Sequence, residues 1–301
     1  MASTFLHCKT TASISSITRL NLHGSSSLNI PMKVNMPQNQ SFWATVNADI
    51  EAHLERAIPI HPQLSVAEPM HQVIFSTPKS MASALCIAAC EVVGGERDKA
   101  IAAASAVHMM HVAEFTLDDN QLSAQQKRKS MVQDIGIARF GVLPLGYELL
   151  ATSDNPMGNN SEKILRAIIE ITQAMGPQGM VDGQYWKMQC KGSYGDELCH
   201  IGWIDHVCEK MDGGLCSCGA ACGAILGGGS EDEIKKLRRF GMYIGMIHGM
   251  MKRGIDLGRV ENEVLEMVEG LKTLALKELE YFKNKDVDAL KSLVDARVSQ
   301  F

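Results

Sequence analysis

From residue 49 onward, apolar residues recur at helical rather than strand spacing. Ser161–Met175 carries Ile164, Leu165, Ile168, Ile171 and Met175 on one stripe, the three-and-four spacing of an amphipathic helix. Ile234, Leu237, Phe240, Ile244, Ile247 and Met251 repeat it over a longer segment. That segment opens with Ser230 and Glu233, which form a capping box. Two stretches, 79–94 and 213–229, are apolar nearly all round and dense in Ala, Gly and Cys. A helix without a polar face is a buried one. Further helices are predicted over 49–58, 96–117, 134–150 and 261–282, and from Asp286 on. Turns are expected at Pro59 and Pro62, Gly94-Gly95, 118–130, 155–160 and Gly176-Pro177. Residues 182–200 are polar at their centre and read as a loop. No internal repeat and no strand pattern stands out. Many helices joined by short connections predict an all-α helical bundle in a single domain.

Composition supports this and narrows the class. Apolar residues make up 46% and aromatics 5%, with 18 Met, which implies a core of aliphatics, Ala and Met. The net charge of −5 offers no basic field for nucleic acid. Residues 1–48 stand apart. They contain no Asp or Glu, three basic residues (Lys9, Arg19, Lys33) and eight Ser. A positive, Ser-rich, acid-free start reads as an organelle transit peptide, with a tail that carries no address as the other reading. The predicted division is therefore a leader at 1–48 and a helical domain at 49–301. Removing the leader takes off three positive charges, so −5 − 3 = −8. No run is long and apolar enough to span a membrane. Nine Cys without a secretory signal point to reduced thiols in a plastid stroma or cytosol.

Two cysteine pairs are the sharpest local feature. Cys86-Ile-Ala-Ala-Cys90 and Cys218-Gly-Ala-Ala-Cys222 share the spacing i, i+4, which puts each pair on one helix face. Cys can be a small apolar filler there. A four-thiolate zinc or redox site is the other reading, although structural zinc favours tighter spacings on loops. A small-residue packing surface, buried or at a subunit contact, is preferred. Asp118-Asp119 closes the helix that carries His108 and His111. Adjacent carboxylates can hold Mg²⁺ or simply be solvated. The two histidines, at i, i+3, lack a partner carboxylate that would fix a metal site.

The stretch CIAACEVVGGERDKAIAAASAVHMMH, then LDDN, GMVDGQ and GAACGAILGGGSEDEIKKLRRFG, resembles the short-chain trans-prenyl diphosphate synthases in order and spacing. The paired Cys-x-x-x-Cys motifs resemble those of the non-catalytic small subunits of plant geranyl diphosphate synthases. The resemblance implies an isoprenoid synthase-type helical bundle. It also implies a chemistry in which two Asp clusters hold Mg²⁺ against a departing diphosphate. This chain departs from that pattern. The first cluster keeps Asp118 and Asp119, but its third position falls on Ala124, and the arginines expected after it are rearranged in 125–130. The second cluster reads Lys252 and Arg253 where two carboxylates belong; Asp256 alone survives. The basic element that clamps a diphosphate falls on Pro78–Ser83 and keeps only Lys79. A Lys-Thr pair of the family falls near Met211-Asp212.

The resemblance therefore implies a non-catalytic subunit without a cofactor of its own. Lys79, Asp118, Asp119, Gln184 and Asp256 would be residual diphosphate and metal positions. Cys86, Cys90, Cys218 and Cys222 would serve subunit interaction. The partner would be a large subunit that carries Mg²⁺, in a heterodimer or heterotetramer, with product shifted toward geranyl diphosphate. An active transferase using Asp118, Asp119 and Asp256, and a zinc or redox protein using the four Cys, are the competing readings.

Overall fold

The computed structural model describes residues 36–58, 67–116, 129–153, 160–192, 201–256 and 262–294, and every regular element among them is helical. The helices are α1 (Met36–Ala57), α2 (Ala67–Ser76), α3 (Met81–Val92), α4 (Ile101–Phe115), α5 (Lys129–Thr152) and α6 (Ser161–Met175). They continue with α7 (Met180–Gly192), α8 (Ile201–Cys208), α9 (Gly214–Gly227), α10 (Glu231–Asp256), α11 (Asn262–Leu279) and α12 (Asp288–Val294). A π-helical turn, Glu209–Gly213, joins α8 to α9.

The helix ends follow local chemistry. Ser80 caps α3 by accepting from the Ser83 N–H at 3.4 Å. Gly228 closes α9 at φ 82°, a left-handed conformation that glycine adopts without a Cβ clash. The predicted capping box is present: the Ser230 N–H donates to Glu233 at 2.8 Å, and the Glu233 N–H donates to Ser230 Oγ at 3.3 Å.

The apolar helices α3 and α9 are buried on all sides and lie against each other. Glycines set how closely. A Cβ at Gly219 or Gly223 would come within 3.0 Å of the carbonyl oxygen of Ala82 or Cys86, and one at Gly227 would crowd Val93 and the Cys90 carbonyl. These glycines recur every four residues, as do Ala82, Cys86 and Cys90 opposite them. Rows at i±4 on both helices mesh, and the missing side chains let the backbones touch. A second row, Gly241, Gly245 and Gly249 on α10, meets Cys216 and Asp212 in the same way. The core is thus a stack of α3, α9 and α10, with α4 and α6 closing it.

Two expectations change. α1 begins at Met36, not near Asp49, and Trp43 and Val46 are buried in the core. Trp43 and Val46 therefore pack with the helical body, although their stretch lacks the acids used to mark its start. The polar stretch read as a loop from 182 contains α7 up to Gly192; its remainder, 193–200, lies outside the described residues. Among the described residues, no single helix is long and apolar enough to cross a membrane.

Candidate functional site

α4, α7, the π turn and the end of α10 bring one cluster of titratable groups together. Its centre is Arg253. Glycines at 241, 245 and 249 face α9 and the π turn, and Arg253 is the next position in that row of fours. The guanidinium is thereby aimed at the turn, where Nη1 donates to Asp212 Oδ2 at 2.5 Å and to the Gly249 carbonyl at 3.3 Å. The two side chains are 12% and 23% exposed. Burial alone would raise the Asp212 carboxyl. Arg253 overrides it, helped by His248 and Lys252, and holds the group below its ordinary value. Burial opposes the charge on Arg253, and Asp212 in turn more than offsets it.

α4 supplies the facing wall. Burial pushes His108 down to about 4, and its Nε2–H donates to the Ile74 carbonyl at 3.4 Å. His111 is pushed down to about 3 by burial, with His108 and Lys252 adding to it. Both rings are neutral at pH 7. Glu114 goes the other way, up to about 7, through burial and the nearby Asp212. Its Oε2 lies 3.7 Å from His111 Nδ1. This carboxylate neighbour is absent from the sequence reading, although the i, i+3 spacing from His111 places it on the same helix face.

The sequence-predicted positions are dispersed. Lys79 sits at the head of α3 and pairs with Glu51 of α1 at 2.7 Å, on the rim of a narrow cleft that also includes Asn47, Phe75, Ser83 and His108. Gln184 lies on α7, where its Oε1 is buried without a hydrogen-bond partner among the described residues. Asp118, Asp119 and Ala124 lie outside the described residues. Asp256 ends α10, and its side chain is likewise outside them.

The four motif thiols point inward. Cys86, Cys90, Cys218 and Cys222 are all buried within the chain's own core. The sulfurs of Cys218 and Cys222 are 4.0 Å apart, Cys222 Sγ faces the Ala167 carbonyl of α6 at 3.6 Å, and Cys90 Sγ faces the Glu96 carbonyl at 3.4 Å. Of the two expected placements, buried or at a subunit contact, these thiols take the buried one, along the α3–α9 and α6–α9 seams. Burial raises the Cys90 thiol to about 11 and Cys86 well above its usual value. Such thiols are poor nucleophiles and poor metal ligands. No three His, Cys, Asp or Glu side chains converge on a metal position among the described residues.

The described groups of the α4–α10 cluster do not suit Mg²⁺. The ionised carboxylate that faces the end of α10, Asp212, is taken by Arg253, and Lys252 adds a second positive charge nearby.

The chain is 41% identical over 282 residues to heterodimeric geranylgeranyl pyrophosphate synthase small subunit 2 of Cannabis sativa, named chloroplastic, covering 89% of this chain and 97% of that one. It belongs to the plant geranyl and geranylgeranyl diphosphate synthase small subunits, within the trans-prenyltransferase family. Solved structures agree. The geranyl diphosphate synthase small subunit of Antirrhinum majus superposes with a TM-score of 0.76 at 43% identity, over 86% of this chain and 99% of that one. A chain of the heterotetrameric geranyl pyrophosphate synthase of mint does so with a TM-score of 0.76 at 40% identity, over 85% and 99%. No family model matches the chain. The central charges of the cluster, Arg253 and Asp212, form an ion pair closed on itself.

Proposed function

We propose that this protein is the non-catalytic, regulatory small subunit of a plastid geranyl(geranyl) diphosphate synthase. It pairs with an active large subunit and shifts that enzyme's product toward geranyl diphosphate for monoterpene synthesis. The observation that carries the reading is Arg253 on Asp212. A diphosphate leaving group needs divalent cations gathered by carboxylates. Here the end of α10 offers Lys252 and Arg253, and the carboxylate facing it from the π turn is already neutralised. The one cation kept from the family's diphosphate clamp, Lys79, is paired with Glu51. Mg²⁺ and both prenyl substrates are assigned to the large subunit.

Pairing is supported by surface as well as by kinship. Phe140 of α5 is 78% exposed, and Leu165 and Ile169 stand out on one face of α6. These large apolar groups suit a subunit contact, and the large subunit is the occupant we assign to them. The two Cys motifs support pairing indirectly: they hold α3, α9 and α6 in place from within. The leader would end before Met36, since α1 is part of the helical body from there.

The test is direct. The chain from Met36 onward, given Mg²⁺, isopentenyl and dimethylallyl diphosphate, should form no product alone. With an active large subunit it should co-purify and raise the ten-carbon fraction. Turnover by the isolated chain at a rate comparable to the complex would sink the proposal and favour an active transferase.

A further inference from the structure

The π turn Glu209–Gly213 is a joint on which α7, α8, α9 and α10 all lean. A Cβ at Gly183 of α7 would come within 3.0 Å of the Met211 and Lys210 side chains, and one at Gly245 of α10 would strike the Asp212 carbonyl. Turns of this kind are rare and occur mostly as single turns within α-helices, frequently at functional sites. The guanidinium of Arg253 pins this one at three points. Nη1 donates to Asp212 Oδ2 at 2.5 Å and to Cys208 Sγ at 3.6 Å, and Nη2 donates to Met211 Sδ at 3.8 Å. The pin has a second claimant. Glu114, at the end of α4, is 16% exposed. Arg253 favours the anion of Glu114, and Glu114 favours the charge on Arg253, so the two groups lie within electrostatic reach. The groups that face Glu114 are His111 on its own helix, Lys187 on α7, Asp212 on the turn, and Lys252 and Arg253 on α10. His108 and His248 stand behind His111. The side chains of α5 before Phe140 lie outside the described residues. Burial keeps the three histidines neutral at pH 7, whereas Glu114, raised to about 7, changes charge there.

We propose that Glu114 is a proton-controlled latch of this joint: protonated, it leaves Arg253 on the π turn; ionised, it draws the guanidinium off Asp212 and lets the turn open. With Arg253 held on Asp212, an ionised Glu114 faces both burial and a second anion, the two causes that raise its carboxyl. Moving the guanidinium toward Glu114 offsets both. Two of the three contacts given up are to sulfur, a weak acceptor. α7 and α8, which lean on the turn, then shift against α9 and α10. Loss of the proton favours opening, so the open population grows with pH. Where Glu114 regains its ordinary value of 4.5 in the open joint, linkage gives a rise of about tenfold between pH 6 and pH 8, most of it below pH 7.

The experiment is hydrogen exchange of the full chain, read by mass spectrometry in peptides that span Glu209–Gly213 and corrected for the intrinsic pH dependence of amide exchange. Exchange in the turn should rise about tenfold from pH 6 to pH 8, while peptides from α3 stay level. Glu114→Gln, which cannot ionise, should abolish the rise. Should that variant melt below the unaltered chain, Arg253→Met replaces it: with no guanidinium to move, the turn should exchange at one rate across the same range. The proposal is overturned if exchange in the turn of the unaltered chain is flat, if α3 rises with it, or if the variant used keeps the rise. The chain is tested by itself, so the outcome is independent of the pairing reading.

Discussion

Replacing Gly223 by Ala should separate the two central helices. In the middle of an α-helix Ala is favoured over Gly by about 1 kcal/mol, so an unobstructed site would gain stability. Here the new methyl would fall within 3.0 Å of the Cys86 carbonyl oxygen, carbon and Cα. Those are backbone atoms of a buried helix, and no rotamer change can clear them. Overpacking of this kind costs about 1–3 kcal/mol, occasionally more, and the absence of a yielding side chain puts Gly223→Ala at the upper end. The net loss is about 2 kcal/mol. For a domain of this size that lowers the melting temperature by roughly 4–8 °C. Gly270→Ala is the internal control. That glycine lies in the exposed middle of α11, and nothing stands within 4 Å of the position a methyl would take, so its melting temperature should rise by roughly 2–4 °C. Far-UV circular dichroism melts of the three chains decide it. If Gly223→Ala melts at or above the unaltered protein, the close approach of α3 and α9 is not real.

The other predictions concern buried polar groups. Cys86→Ser places a hydroxyl in the core, where the Ala100 carbonyl is 3.9 Å from the sulfur it replaces; the loss should be about 1–3 kcal/mol in urea titrations. Cys90→Ser should cost less, because the Glu96 carbonyl is 3.4 Å from that sulfur. Arg253→Met strands Asp212 and should cost about 3 kcal/mol, while adding Asp212→Asn should restore part of it in the same titration. Stability should fall on acidification. His108 and His111 have folded values of about 4 and about 3, so the unfolded chain binds their protons first as pH drops below 6.5. Glu114, at about 7, opposes them, since its cost to the fold is relieved below pH 7. Each group is worth roughly 3 kcal/mol, so the net drop from pH 7 to 4.5 should be about 2–3 kcal/mol and should become steeper in Glu114→Gln.

The helices of this fold are legible where periodicity is strong. The segment 161–175 matches the bounds of α6, although Leu165 of its stripe turns outward, and the capping box at Ser230 starts α10 as expected. α7 is hidden by its composition: Asp182, Gln184, Lys187 and Gln189 obscure a three-residue apolar face that never enters the core. The start of α1 is hidden for a related reason. The absence of acids in 36–48 outweighs, in the sequence, Trp43 and Val46, which are the residues that anchor it. The thiol motifs are recognisable as packing devices, but their direction is not. It is decided by Gly219, Gly223 and Gly227 on the opposite helix, a row of fours as visible in the sequence as the cysteines. The site is half legible. Lys252 and Arg253 stand out as misplaced cations, whereas the pairing of Arg253 with Asp212 depends on a π turn that no local pattern announces.

On the reading proposed above, that pairing is how the site loses its chemistry without losing its fold. Gly241, Gly245 and Gly249 bring α10 against α9 and the π turn whatever residue occupies position 253, which inherits the direction of that row. A carboxylate there would face a second anion, Asp212, and the two would need a cation between them. A guanidinium needs none, because the ion pair is complete by itself. The consequence for a metal is severe. A divalent ion about 4 Å from one ammonium or guanidinium is repelled by roughly 8 kcal/mol at an effective dielectric of 20, and two such cations stand at this end of α10. In that reading, a guanidinium at the end of the glycine row turns a metal-binding position into a strut between helices.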